Sequence, residues 1–291
     1  MPDLPKRQLG RTGLQVTTLG YGAMEIRNRA ERPSTDAEAE RVLNAVLDAG
    51  INYIDTSIDY GESEERIGRY LASRRSEYYL ASKCGCPVGE VGGMRAPHIF
   101  TAENVIAGVE QSLRRLQTDY LDLVQFHHSP SRAELMEGGL EALQDLQAQG
   151  KVRFIGMSGT MPNLPGQIEM GVFDVFQVPY SALQREHEEL IQEASEAGAG
   201  IVIRGGVARG DPARERGGFW DKWQEAEIDD LLDGMPRTEF LLRFTISNPN
   251  LDTTIVGTTN PEHLAQNVEA VLKGPLPAEV YEEAKRRVST A

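Results

Sequence analysis

The stretch INYIDTSIDYG, residues 51–61, sets the reading of the whole chain. An apolar run ends on Asp55, and Tyr60 and Gly61 follow within a few residues. Three later segments repeat the arrangement: YYLASKCG (78–85) delivers Lys83, LDLVQFHHS (121–129) delivers His127, and RFIGMSG (153–159) ends on Ser158 and Gly159. A carboxylate, a phenol, an ammonium and an imidazole set at the ends of successive apolar strands make a proton-transfer site. Strands that carry their polar residue at the end also say what kind of sheet holds them.

Outward from these segments the pattern alternates. Helical periodicity covers 34–49, with Ala37, Val42, Ala45, Val46 and Ala49 on one face and Ser34 or Thr35 as cap. Further helices are predicted at 63–73, 102–116, 133–148, 187–197, 237–246, 261–272 and 277–288, and strands at 78–82, 121–126, 152–157, 173–178, 200–203 and 253–257. Ahead of them, GRTGLQVTTLGYGAM (10–24) reads as a turn leading into a strand, with Gly10 and Gly13 as turn residues. Strands apolar on both faces, separated by helices, imply a parallel sheet covered on both sides. About eight such units, with no Gly-x-Gly-x-x-Gly turn after the first strand, favour a closed barrel over an open doubly wound sheet. The expectation is one α/β domain over residues 1–291, a single (β/α)8 TIM barrel with a short N-terminal hairpin and an extra C-terminal helix. The longest irregular segments, 85–100 and 205–236, both follow strands and belong on the face where barrel sites are built.

Composition narrows the function classes. A net charge of −14 argues against a nucleic-acid partner, since phosphate binding draws on clustered Lys and Arg. No apolar run reaches roughly 18 residues, so no membrane span is expected, and MPDLPKRQLGRTG lacks the apolar stretch of a secretory signal. The two cysteines, Cys84 and Cys86, make neither a disulfide framework nor a structural zinc site, and a reduced, cytoplasmic protein is expected.

On these residues the chain resembles the aldo-keto reductases over nearly its whole length. The resemblance is carried by the N-terminal turn, Asp-x-x-x-x-Tyr-Gly at 55–61, the strand-end Lys83, YLDLVQFH at 120–127, QVPYS at 177–181 and GTTNPEHLAQN at 257–267. It implies a (β/α)8 fold, a nicotinamide cofactor bound without a Rossmann domain, and reduction of a carbonyl to an alcohol. It assigns Asp55, Tyr60, Lys83 and His127 as catalytic, with Tyr60 as general acid, and it settles His127 over its neighbour His128. The chemistry agrees. A phenol with an ordinary pKa of about 10 is a reluctant acid that a nearby cation tunes, and Asp55 is suited to hold Lys83 as its ion-pair partner. His127 is suited to hydrogen-bond the carbonyl oxygen.

The same resemblance implies the cofactor positions. Ser158 and Gln177 match residues that bind the nicotinamide carboxamide, with Gly159 where the family usually has Asn. Arg204, Gly205, Gly206 and Gly210 fall on the strand and loop covering nicotinamide and pyrophosphate, where an aromatic ring is common and this chain has Arg204. Gly257, Thr258, Asn260, His263, Gln266 and Asn267 match the adenosine and 2′-phosphate region, in which the family often has a basic residue at the place of Gly257 and arginine at that of His263. NADP(H) is the expected cofactor, with NAD(H) as the alternative.

Two other function classes compete. One is a non-catalytic cofactor-sensing regulatory subunit of the same fold; the intact Asp55–Tyr60–Lys83–His127 set argues against it. The other is a metal-dependent barrel hydrolase using Asp55, Asp59, His127 and His128, which lacks a Glu/His set with ligand spacing, so no metal is expected. The expected partner is a small carbonyl substrate, and the assembly a monomer or small homo-oligomer. Trp220, Trp223 and Phe100 are the expected apolar walls of an open pocket.

Overall fold

The computed structural model describes residues 3–28, 30, 33–88, 97–208 and 219–290. Ten strands occur among them: β1 (Lys6–Gln8), β2 (Gln15–Thr17), β3 (Leu19–Gly22), β4 (Tyr53–Asp55), β5 (Tyr79–Cys84), β6 (Leu121–Phe126), β7 (Val152–Ser158), β8 (Val175–Pro179), β9 (Gly200–Arg204) and β10 (Thr253–Val256). β1 and β2 form an antiparallel hairpin, and the other eight close a parallel barrel in chain order, with β10 pairing back onto β3. The expected (β/α)8 barrel is therefore present, N-terminal hairpin included, and the tail folds as the expected extra helix, Ala278–Thr290.

Strand periodicity divides each barrel strand between two cores. Tyr53, Ala81, Leu123, Val175 and Val202 point inward and pack with Leu9, Leu14 and Val16, so the hairpin region plugs the N-terminal end. The alternate residues Ile54, Leu80, Val124, Phe176, Ile201 and Ile203 join the larger core beneath the helices. Arg7 fastens the hairpin by donating to the carbonyls of Ile246, Asn248 and Leu251. With one end plugged, side chains at the other end of the inner faces are the ones available for chemistry. Two residues beyond Tyr53, Ala81, Leu123, Val175 and Val202 stand Asp55, Lys83, Gln125, Gln177 and Arg204. Period two thus sets five polar residues around one mouth.

Several expected elements need correction. The 34–49 helix runs Asp36–Asp48, with Thr35 and Glu38 in a reciprocal capping box; its buried face is Ala39, Val42, Leu43, Val46 and Leu47, and Ala37 is exposed. Ser34 instead accepts from the buried Arg66 guanidinium at 2.8 Å. The expected helix 133–148 is two, Arg132–Leu135 and Gly139–Ala148, broken at Gly138, whose φ of +99° no helical residue adopts. A helix at Leu164–Glu169 and a 3₁₀ turn at Ala72–Glu77 went unpredicted, the former because its Pro165 and Gly166 read as loop residues, although proline suits a first helical turn.

Candidate active site

Asp55 is the hub of the mouth. One carboxylate oxygen accepts from the Lys83 ammonium at 2.5 Å; the other accepts from the side-chain amides of Gln125 at 3.0 Å and Gln177 at 2.8 Å. Lys83 also donates to the Thr56 carbonyl at 2.8 Å, and both charged side chains are 2% exposed or less. A buried ion pair persists only when its remaining hydrogen-bonding positions are filled, and Gln125 and Gln177 fill them on the carboxylate.

Tyr60 follows on the loop after β4. Its ring centroid lies 5.0 Å from the Lys83 nitrogen and 6.1 Å from the His127 ring, edge to face. The loop reaches this position through Gly61, which sits at φ +48° with its Cα against the Arg27 carbonyl, where a Cβ has no room. The Asp-x-x-x-x-Tyr-Gly spacing thus has a steric reason. Burial pushes the Tyr60 phenol above its ordinary pKa, Lys83 pulls it down, and Asp55 and Asp59 push it up again. Burial also opposes the charge on Lys83, but Asp55, Tyr60 and Asp59 outweigh it and hold the ammonium above its ordinary value.

His127 lies just past β6, its backbone amide donating to the Cys84 carbonyl. Burial, then Lys83 and the neighbouring His128 and His98, hold its imidazole well below the ordinary histidine range, so it is neutral at physiological pH. Its Nδ1 stands 3.3 Å from the Cys86 sulfur, whose thiol burial pushes up to about 12. The structure thus brings together Asp55, Tyr60, Lys83 and His127.

The expected cofactor residues divide into groups. Ser158 and Gln177 are register partners on β7 and β8, and the serine hydroxyl donates to the Gln177 side-chain amide oxygen at 3.3 Å. Gly159 leaves space that Gln167 occupies: a Cβ there would stand 2.8 Å from the Gln167 amide oxygen, and Gln167 is itself tied to Ser129 and Pro130. Arg204 closes β9, and among the described residues its guanidinium has no hydrogen bond or ion pair. Gly205 follows at φ +76° with open space beside it, whereas Gly206 packs against Thr245 and Thr254, its carbonyl accepting from Thr245 at 2.9 Å. Gly210 lies outside the described residues. On the neighbouring β10 side, a Cβ at Gly257 would come 2.6 Å from the Gly22 carbonyl, which leaves no room for a basic side chain. The Thr258 carbonyl accepts from Tyr21, Asn260 caps the helix Pro261–Leu272, His263 and Gln266 are exposed, and Asn267 is half-buried.

Of the expected walls, Phe100 stacks on His98 beside the site. Trp220 and Trp223 do not form a wall; they pack on each other, with Phe240 against Trp223 and Arg237 over both rings, and the Trp223 indole donates to Asp229. Gln125, Cys86 and His98 were missed in the sequence as site residues, and Asp59 was considered there only as a ligand of a metal-dependent hydrolase. Only Gln125 carried a signal there, two residues before His127 on the same strand face. The other three reach the mouth through loops.

Residues 18–216 match the family model of the aldo/keto reductase family. The chain belongs to that family. L-galactose dehydrogenase of Arabidopsis thaliana is 27% identical, over 93% of this chain and 89% of the relative. D-threo-aldose 1-dehydrogenase of a Pseudomonas species is 28% identical, over 88% and 90%. The holo form of aldo-keto reductase AKR11C1 from Bacillus halodurans superposes with a TM-score of 0.88 at 29% identity, covering 99% of this chain and 97% of its own. The protein is accordingly an oxidoreductase of the aldo/keto reductase family, and no helix among the described residues is long and apolar enough to cross a membrane.

Proposed function

We propose that the protein reduces an aldehyde or ketone to an alcohol with a nicotinamide cofactor, Tyr60 giving the proton. The observation that carries this is the mouth itself: a phenol beside a buried ammonium that a carboxylate holds, facing a neutral imidazole. A bound nicotinamide cofactor would supply the hydride for the carbonyl carbon. Tyr60 gives its proton to the oxygen as negative charge develops there, and Lys83 stabilises the phenolate that remains. His127 orients the oxygen. A thiol proton donated by Cys86 to Nδ1 leaves the other ring nitrogen protonated, and that N–H is then the donor to the carbonyl.

The residues present suit such a cofactor. Ser158 has a single 3.3 Å hydrogen bond, and the open Gly205 beside the unpartnered Arg204 offers a cation and free backbone to an anionic, planar group. Ser158 and Gln177 would hold the carboxamide, Arg204 and Gly205 would lie against nicotinamide and pyrophosphate, and Thr258, Asn260, His263, Gln266 and Asn267 would hold the adenosine end. NADP(H) is the favoured form, because the N-terminus of the Asn260-capped helix, with His263 in its first turn, would suit the extra phosphate. The steric block at Gly257 and the lack of Arg or Lys between 257 and 267 make that preference modest. A panel of aldehydes and ketones assayed by cofactor absorbance with NADH and NADPH tests the reading. Turnover with NADPH is expected, and stoichiometric cofactor binding with no turnover on any substrate would favour the sensing subunit instead.

A further inference from the structure

Beside Tyr60 the loops assemble a set of side chains that carbonyl reduction does not use. Asp59, His98, His127 and His128 each offer one ligand atom, and these atoms all lie within 4.8 Å of one another. The residues come from three separate loops; the sequence offered Asp59, His127 and His128 as possible ligands but not His98. Asp59 and His127 are the buried members, with side chains 8% and 10% exposed; His128 is exposed and His98 half-buried. The rings are mutually packed, with His98 4.1 Å from His128 and 5.3 Å from His127 between centroids.

Two features distinguish this group from a chance gathering. The Asp59 Oδ2 oxygen is buried without a hydrogen bond, while its other oxygen accepts from Ser57. Leaving a carboxylate oxygen buried and unmatched is costly, and the atom nearest to it across the group is His127 Nδ1 at 3.7 Å. Second, His128 and Ser129 occupy consecutive left-handed backbone positions, φ +62° and +52°, which few non-glycine residues adopt. Burial also lowers the pKa values of His98 and His127, which keeps those two imidazoles in the neutral, lone-pair-bearing form.

We propose that Asp59, His98, His127 and His128 form a zinc site that shares His127 with the carbonyl-reducing site, so that zinc and carbonyl substrate exclude each other. Three neutral imidazoles and one carboxylate satisfy a borderline divalent ion of tetrahedral preference. Bonds of about 2.0–2.1 Å put tetrahedral ligand atoms roughly 3.3 Å apart, so the group must contract from its 4.8 Å limit. Contraction brings His98 and His128 over the mouth, and His127 Nδ1, which already faces Asp59, gives up the Cys86 thiol for the ion. All four positions are then taken by protein, with none left open for a metal-bound water, which makes the ion a block rather than a catalyst. The binding claim stands on the residues alone; the exclusion claim rests on the proposed carbonyl reduction.

The test is equilibrium dialysis of the full chain against zinc chloride with elemental analysis, run beside His98→Phe and His128→Asn. The first variant keeps the ring stacked on Phe100, and the second keeps a residue that tolerates the left-handed backbone; thermal melts confirm folding. One zinc per parent chain is expected, with affinity at least tenfold weaker in each variant, since outer-shell partners alone are worth about 10–100-fold. Zinc should raise the apparent KM for the carbonyl substrate in the parent, reversibly by chelator, and leave the KM of each variant the same with and without zinc. Binding that is absent, or unchanged in both folded variants, overturns the site. Stoichiometric binding that leaves turnover untouched overturns the exclusion. Zinc binding lost in the variants, in a protein with no turnover on any substrate, keeps the site and discards the reductase reading.

Discussion

Gln177 donates its side-chain amide to Asp55 Oδ2 at 2.8 Å, across 122 positions of sequence. One residue therefore touches both the expected nicotinamide cradle, through Ser158, and the carboxylate that fixes Lys83. In the proposed reaction the residues that would hold the nicotinamide and the ion pair beside the proton donor thus meet at one carboxylate.

Tyr60→Phe removes the proton donor and keeps the ring and its packing. General acid catalysis is worth about 10²–10⁴-fold, so kcat should fall by that order while cofactor affinity, read by fluorescence titration, stays within about twofold. A variant that retains most of its turnover would remove Tyr60 from the proposed role.

Lys83→Met should lower kcat by a comparable factor and also destabilise the fold. Asp55 would keep its hydrogen bonds from Gln125 and Gln177 but lose its counter-charge, and stripping one partner from a buried pair costs about 3–5 kcal/mol. Denaturant melts of Lys83→Met and of Lys83→Met with Asp55→Asn should show the second change recovering part of the loss. If the double variant is less stable than the single one, the carboxylate is not paired as described.

The pH profile of reduction should be flat through neutrality. The proton donor must be protonated, and burial raises the Tyr60 pKa above its ordinary value, so the alkaline fall begins only above about 10. His127 is depressed well below the histidine range and stays neutral as pH falls, so no inflection belongs near 6.5. An activity midpoint between 6 and 7 in the free enzyme would contradict both assignments.

Arg204→Leu should separate substrates by charge. Arg204 is half-buried and, among the described residues, its guanidinium has no hydrogen bond or ion pair, so a substrate carboxylate is a suitable partner. A hydrogen bond to a charged group is worth about 1.5–3 kcal/mol, which corresponds to a loss in kcat/KM about 10–100-fold greater for carboxylate-bearing aldehydes than for neutral ones. Equal losses for both substrate kinds would leave Arg204 with the cofactor alone.

His263→Arg should tighten NADPH about tenfold and leave NADH nearly unchanged, because only the former carries the phosphate that a guanidinium forks onto. Parent protein that already binds NADH more tightly at pH 7 would reverse the proposed preference and turn attention to Glu262.

The barrel was legible because Ile54, Leu80 and Val124 alternate with residues of the inner face, and the same alternation put Asp55, Lys83 and Gln177 at one end. Tyr60 and His127 lie just beyond strand ends, close enough for motif spacing to find them. Asp59, Cys86 and His98 were not legible as a group, since loop geometry, not strand period, brings them together. Trp220 and Trp223 were misread because a large aromatic in a long segment looks the same in sequence whether it lines a pocket or anchors a helix. Gln167 was missed because the gap it fills is created by the absence of a side chain at Gly159.

The ring closes through Ile255 against Gly20, residues separated by nearly the whole chain. While the polypeptide is being synthesised, β3 has no partner on its outer side until β10 emerges, and each newly added strand is a fresh open edge. Unpaired edges recruit other chains. A fragment ending before Thr253 would carry two such edges at once, and chaperone engagement should therefore persist late into translation, falling off only when the last strand clears the ribosome.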